Sequence, residues 1–260
     1  MAYKTIKVTE PQPGITVISF ARPEVANALS SEMGRELLDA WSKLRADEAL
    51  RCVILSGEGR HFQAGADLKE RNGMTDEAWA EQHRLFEAMI RAQLACPVPI
   101  IAAVQGAAMG GGCEMSLACD FTYAAEGARF GLPEAGLGIM PGLGGTQLLT
   151  RAVGPRRAIE IMTTAAPFTA EKALEWGLVS AVVSAEALMD TVLGVAALIA
   201  SRAPLSVRGL KRVVHGGQDL DLKRAMDLEL SIYNSLFVTE DRREGVGSFN
   251  DKRTPTFSGR

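Results

Sequence analysis

Three glycine-rich stretches hold the residues best suited to chemistry. The first is Phe62-Gln63-Ala64-Gly65-Ala66-Asp67. The second is Gly106-Ala107-Ala108-Met109-Gly110-Gly111-Gly112-Cys113-Glu114. The third is Phe130-Gly131-Leu132-Pro133-Glu134, with Pro141-Gly142-Leu143-Gly144-Gly145-Thr146 close behind it. Any one of them alone could be a tight turn that needs positive φ. Consecutive glycines ahead of a helix do more: they let a ligand approach the main chain and leave the first helical N–H groups unpaired. The Gly111 N–H, at the positive end of such a helix, is suited to an oxygen gaining negative charge. A second N–H from the Gly65-Ala66 turn would complete an oxyanion hole of the kind that stabilises an enolate. Two acidic side chains, Glu114 and Glu134, stand beside these turns, twenty residues apart.

Other chemistries find no support. The glycine runs lack the lysine of a nucleotide-phosphate loop, Gly136-Leu137-Gly138 is not completed into a dinucleotide fingerprint, and no G-x-S-x-G elbow occurs. His61, His83 and His215 lie at no metal-ligand spacing, so no metal site is expected. Cys52, Cys96, Cys113 and Cys119 sit in apolar or glycine-rich surroundings without C-x-x-C spacing, and read as reduced, buried thiols. A net charge of −3 and the absence of a Lys/Arg tract speak against a nucleic-acid partner. The first residues show no leader-type apolar stretch, and no window approaches the roughly 18 apolar residues of a membrane span. A cytoplasmic protein is expected, with no membrane partner.

The elements that must position these residues can be read from periodicity. Residues 3–8 and 15–20 alternate and are joined across Pro11-Gln12-Pro13-Gly14, a hairpin signal. Ser30 or Ser31 caps a helix striped by Leu37, Leu38, Trp41 and Leu44. Short apolar runs predict strands at 52–55, 100–104, 121–124 and 179–183. Helices are predicted near 75–95, 112–118, 144–152, 155–163, 170–176 and 186–201, then at 204–214, 219–237 and 240–249. Strand and helix thus alternate to about residue 200 and give way to helix alone, the pattern of an α/β core with a helical C-terminal module.

With these motifs in this order, the chain is identified as a member of the crotonase superfamily, most similar to its enoyl-CoA hydratases. The resemblance rests on Arg22-Pro23 with Asn27-Ala28-Leu29, Ala64-Gly65-Ala66-Asp67, G-G-G-C-E ending at Glu114, and F-G-L-P-E ending at Glu134. It continues through P-G-L-G-G-T-Q with Arg151 and Asp241-Arg242-Arg243-Glu244-Gly245, nearly end to end. It implies an α/β spiral core of repeated ββα turns over residues 1–200, and a C-terminal helical trimerisation module over 201–260. It also implies reversible addition of water to a 2-enoyl-CoA, giving a 3-hydroxyacyl-CoA. Coenzyme A is then part of the substrate, and no separate cofactor is called for. By the same resemblance, Ala66 and Gly111 are the oxyanion-hole donors, Glu114 holds and activates water, and Glu134 delivers a proton to the α-carbon. Two carboxylates on one side of an alkene can divide the proton work of hydration, each as acid or base.

Ala28, Ala64, Ala66, Asp67, Leu68 and Lys69 match the stretches that line coenzyme A. Glu24 stands where many hydratases have a lysine. Arg22, Lys69, or Lys252 or Arg253 of a neighbouring subunit are candidates to replace that phosphate contact. Leu85, Phe86, Met89, Leu137, Met140 and Phe249 are expected around the acyl group. Association as a homotrimer, or as a homohexamer built from two trimers, is expected. Another acyl-CoA activity on the same scaffold, isomerase or specialised dehydratase, is the alternative.

Overall fold

The computed structural model describes residues 3–260; Met1 and Ala2, where the leader reading began, lie outside them. The chain opens with the expected hairpin, β1 (Ile6–Gln12) and β2 (Ile15–Phe20), antiparallel with an irregularity between Thr9 and Gln12. Helix α1 (Ser31–Ala46) follows, its Ser30 hydroxyl accepting the Met33 N–H, and leads into β3 (Cys52–Gly57). After a short helix α2 (Leu68–Arg71) comes the long α3 (Asp76–Leu94), capped by Thr75. Then β4 (Ile100–Val104), β5 (Ala107–Met109) and α4 (Gly111–Leu117) form one ββα turn. A second starts with β6 (Phe121–Ala125) and β7 (Arg129–Gly131), and continues through a 3₁₀ turn at Glu134–Leu137 into α5 (Gly145–Val153) and α6 (Pro155–Thr164). Next come β8 (Phe168–Thr169), α7 (Ala170–Glu175), β9 (Ala181–Val183) and α8 (Leu188–Ala200).

The first strands of these turns build a six-stranded sheet, ordered β1-β2-β3-β4-β6-β9 and parallel from β2 onward. The second strands build a smaller sheet, β5-β7-β8. Both faces of the large sheet are covered, so its centre reads as unbroken apolar runs, Cys52 to Leu55 in β3 and all of β4. Val53, Leu55, Ile100, Ala102 and Val104 face the main core with α1 and α3, whereas Cys52, Ile54, Ile101 and Ala103 face α8. All four cysteines are buried and unbonded, as read from their surroundings. Burial, helped by the nearby Asp120 charge, pushes the Cys52 thiol up to about 12.

The remaining helices, α9 (Pro204–Gly217), α10 (Leu222–Leu236) and α11 (Glu240–Asn250), complete the chain. At Asp120, α9 is tied to the sheet. One carboxylate oxygen accepts the Ile100 N–H and the Lys211 ammonium at 2.7 Å each, and the other bonds the His215 ring at 2.7 Å. Among the described residues no single helix is long and apolar enough to cross a membrane.

Besides two 3₁₀ turns, at Pro23–Val25 and Glu134–Leu137, the structure adds one short α-helix, α2, and three short strands, β5, β7 and β8, to those expected. It also places Gly111 and Gly112 inside α4, leaving Gly110 alone as the residue before the helix.

Candidate active site

The main chain reaches α4 through Gly110, whose φ of 51° and ψ of −124° no L side chain readily adopts. That turn brings Glu114 into the first turn of α4, where it is only 2 % exposed. Its Oε1 accepts the N–H groups of Leu143 at 2.7 Å and Gly145 at 2.8 Å, the latter being the first residue of α5. These donors favour the ionised form. Burial outweighs them, and with the nearby Glu134 charge the Glu114 carboxyl is pushed up to about 7.

Glu134 opens the 3₁₀ turn and is 8 % exposed. Its Oε1 lies so close to Gly110 that a Cβ there would stand 3.1 Å from it. Its Oε2 is buried and makes no hydrogen bond within the protein, and burial raises its pKa as well. A buried carboxyl oxygen without a partner is costly in a folded chain. Glu134 lines a cavity, and a ligand there could supply the missing partner.

Two residues with unpaired backbone donors line the same cavity. Ala66 forms a parallel bridge with Leu29 in which the Leu29 N–H donates to Gly65 and the Asp67 N–H donates to Leu29. The Ala66 N–H is therefore turned to the other side, and it donates to no backbone acceptor among the described residues. The Gly111 N–H, first in α4, is likewise without a protein partner. Gln63 registers the two loops. Its main chain pairs with Ala107 and Met109 at 3.0 Å each, and its buried amide oxygen accepts the Gly65 N–H at 2.7 Å.

Glu114, Glu134, Ala66 and Gly111 all line one open cavity of about 570 Å³. Ala64 and Leu68 line it too. Ala28, Asp67 and Lys69 do not, although they adjoin residues that do. The two Asp67 oxygens are engaged structurally: one caps α2 through the Lys69 and Glu70 N–H groups, and the other takes the Arg22 guanidinium at 3.0 Å. Of the residues proposed to replace the missing phosphate contact, Arg22 is held by this pair and by the Ala28 carbonyl, and Arg253 is held by Glu244. The ammonium groups of Lys69 and Lys252 form no ion pair among the described residues.

Phe86, Leu137 and Met140 line the cavity as expected of an acyl pocket. Met89 is instead buried in the core, Leu85 packs against it, and Phe249 is 84 % exposed and off the cavity wall. Arg71, Trp79 and His83 were not anticipated from the sequence, and they line the wall from α2 and α3. One signal for this region was present. Asp67-Leu-Lys-Glu70 has the spacing of a helix-capping box, and α2 is the helix it starts. Among the described residues no group of three or more His, Cys, Asp or Glu side chains gathers where a metal could bind.

Comparison with known proteins returns a consistent relationship. Residues 10–260 match the model of a family described as enoyl-CoA hydratase/isomerase. A crotonyl-CoA hydratase of Syntrophomonas wolfei is 39% identical over 258 residues, covering 99% of each chain. A short-chain-enoyl-CoA hydratase of Clostridium acetobutylicum is 37% identical over 247 residues, covering 95% of each. The crystal structure of an enoyl-CoA hydratase from Bacillus anthracis superposes with a TM-score of 0.97 at 40% identity, covering 99% of this chain and 100% of that one.

Proposed function

This chain belongs to the enoyl-CoA hydratase/isomerase family of the crotonase superfamily, and from that premise we propose that it hydrates a 2-enoyl-CoA to a 3-hydroxyacyl-CoA. The observation that carries the reading is the pairing of two buried carboxyls with two unpartnered backbone N–H groups around one cavity. The thioester oxygen sits between the Ala66 and Gly111 donors. Glu114, its Oε1 fixed by Leu143 and Gly145, keeps its other oxygen for water. As that water bonds to the β-carbon it gives a proton to Glu114, and the alkene electron pair moves onto the thioester oxygen as an enolate. Glu134 then protonates the α-carbon and the enolate collapses. The proton gained by Glu114 and lost by Glu134 re-equilibrates through solvent before the next turnover. Pocket burial suits both groups to this work, since raised pKa values bring carboxyls toward the working pH. Ala64 and Leu68, with Ala28, Asp67 and Lys69 behind them, form the coenzyme A side, and the wall from α3 forms the acyl side.

The test is loss of the conjugated-thioester absorbance when crotonyl-CoA or a longer enoyl-CoA is added, with product mass separating hydration from double-bond migration. Glu134→Gln should lower kcat by on the order of 10²–10⁴. An unchanged rate would sink this mechanism.

A further inference from the structure

The acyl side of the cavity contains a cation that hydration does not use. Arg71, the last residue of α2, lines the wall together with Trp79 and Phe86. Its guanidinium lies over the Trp79 ring, 4.3 Å from the centroid, and 5.7 Å from that of Phe86. Its Nε donates to the Gln82 Oε1 at 2.8 Å. Gln82 is itself buried and fixed, its amide nitrogen donating to Ser31 Oγ at 2.9 Å and to Glu70 at 3.1 Å. Glu70 in turn accepts the Ser31 N–H at 2.9 Å. The guanidinium is thus braced on one face and at one edge, while its two terminal nitrogens make no hydrogen bond or ion pair among the described residues. Burial lowers the Arg71 pKa, and the only carboxylate offsetting that effect is Glu70, not the pair at the reaction centre. A half-buried, pre-oriented fork with both prongs free matches a planar carboxylate. A methyl-ended chain would leave those donors desolvated and unpaired.

We infer that the enoyl-CoA accepted here carries a second carboxylate at the far end of its acyl chain, and that Arg71 binds it. This rests on the hydratase reading and narrows its substrate to monothioesters of unsaturated dicarboxylic acids. Trp79 and Gln82 are positioning residues for the guanidinium.

The experiment compares enoyl-CoAs in pairs of equal carbon count, one ending in methyl and the other in carboxylate, over short to medium lengths. Both members carry the same coenzyme A, so a preference reports the acyl end and not the phosphates. At the best length the wild type should favour the carboxylate-ended member in kcat/KM by on the order of tenfold to a hundredfold. Arg71→Met should bring that ratio to about one, and Arg71→Lys, which keeps the charge without the fork, should fall between. A wild-type ratio at or below one at every length overturns the inference, as does an unchanged ratio in Arg71→Met. Should that variant not fold, the wild type and Arg71→Lys decide.

Binding of the saturated counterparts, which cannot be hydrated, is measured by calorimetry in parallel. If no enoyl-CoA is hydrated but the carboxylate-ended thioester binds more tightly through Arg71, the hydratase reading fails and the substrate class stands. Equal affinities in the wild type sink the substrate class whatever the turnover.

Discussion

Holding Glu114 in the interior ties the stability of the protein to pH. Its carboxyl titrates at about 7 in the folded chain against an ordinary value of 4.5. Between those values the native state binds more protons than the unfolded state, so stability is fully present below the lower value and is lost as pH rises through the upper one. A shift of this size corresponds to about 3 kcal/mol. Glu114→Gln keeps an oxygen for the Leu143 and Gly145 donors and removes the charge. It should therefore melt above the wild type at about pH 8, with the difference gone by about pH 4. A melting difference independent of pH would show that Glu114 is not strained by ionisation. Its turnover should fall steeply at every pH. At this scale the sequence was informative where glycine marks a close approach: Glu114, Glu134, Ala66 and Gly111 each adjoin such a turn, and all four meet at one cavity. Arg71, Trp79 and His83 carry no local mark. Their place on the wall depends on how α2 and α3 pack.

The elements that aim these side chains leave little room for error. Gly145 begins α5 while donating to Glu114, and a Cβ there would stand 2.9 Å from both Cγ and Oε1 of that glutamate and 3.1 Å from Pro141. Gly145→Ala must push the carboxylate aside. We expect kcat to fall on the order of 10²-fold, since a displacement of about 1 Å costs that much. Melting should shift far less than kcat; a fully active Gly145→Ala would mean that the Glu114 position is not critical. The long elements were legible in the sequence because periodicity accumulates over many residues. The strands β5, β7 and β8 were not. Three, three and two residues are too few to show alternation, and their pairing partners are distant in the chain.

Over the whole molecule, the most exposed apolar surface lies on the C-terminal helices. On α10, Leu222 is 77 % exposed, and Met226, Leu230 and Tyr233 extend the same stripe at helical spacing. None of the α10 residues is buried within the chain. Such a patch exceeds what scattered surface residues explain, and we propose that it packs against further copies in a homotrimer or a dimer of trimers. Light scattering should give a multiple of three times the chain mass. Replacing Leu222 and Leu230 together by glutamate should shift the protein toward the monomer. A monomeric wild type would overturn this assembly. That the chain after β9 is helical was legible, because strand and helix periods differ. What the later helices cover was not, since surfaces that meet only between copies leave no mark within one chain's own contacts.

The loop-to-loop pairing at Gln63 has a consequence for inheritance. The two donors at Ala66 and Gly111 belong to the main chain, and their separation is set by bonds between Gln63, Ala107 and Met109. A codon change alters a side chain and leaves an amide hydrogen where it was, unless it introduces proline or puts a side chain on Gly65 or Gly110, whose φ values of 98° and 51° suit glycine. The spacing of the two donors is thus transmitted as a shape, spared by substitutions away from those glycines, while the side chains around them stay free to drift.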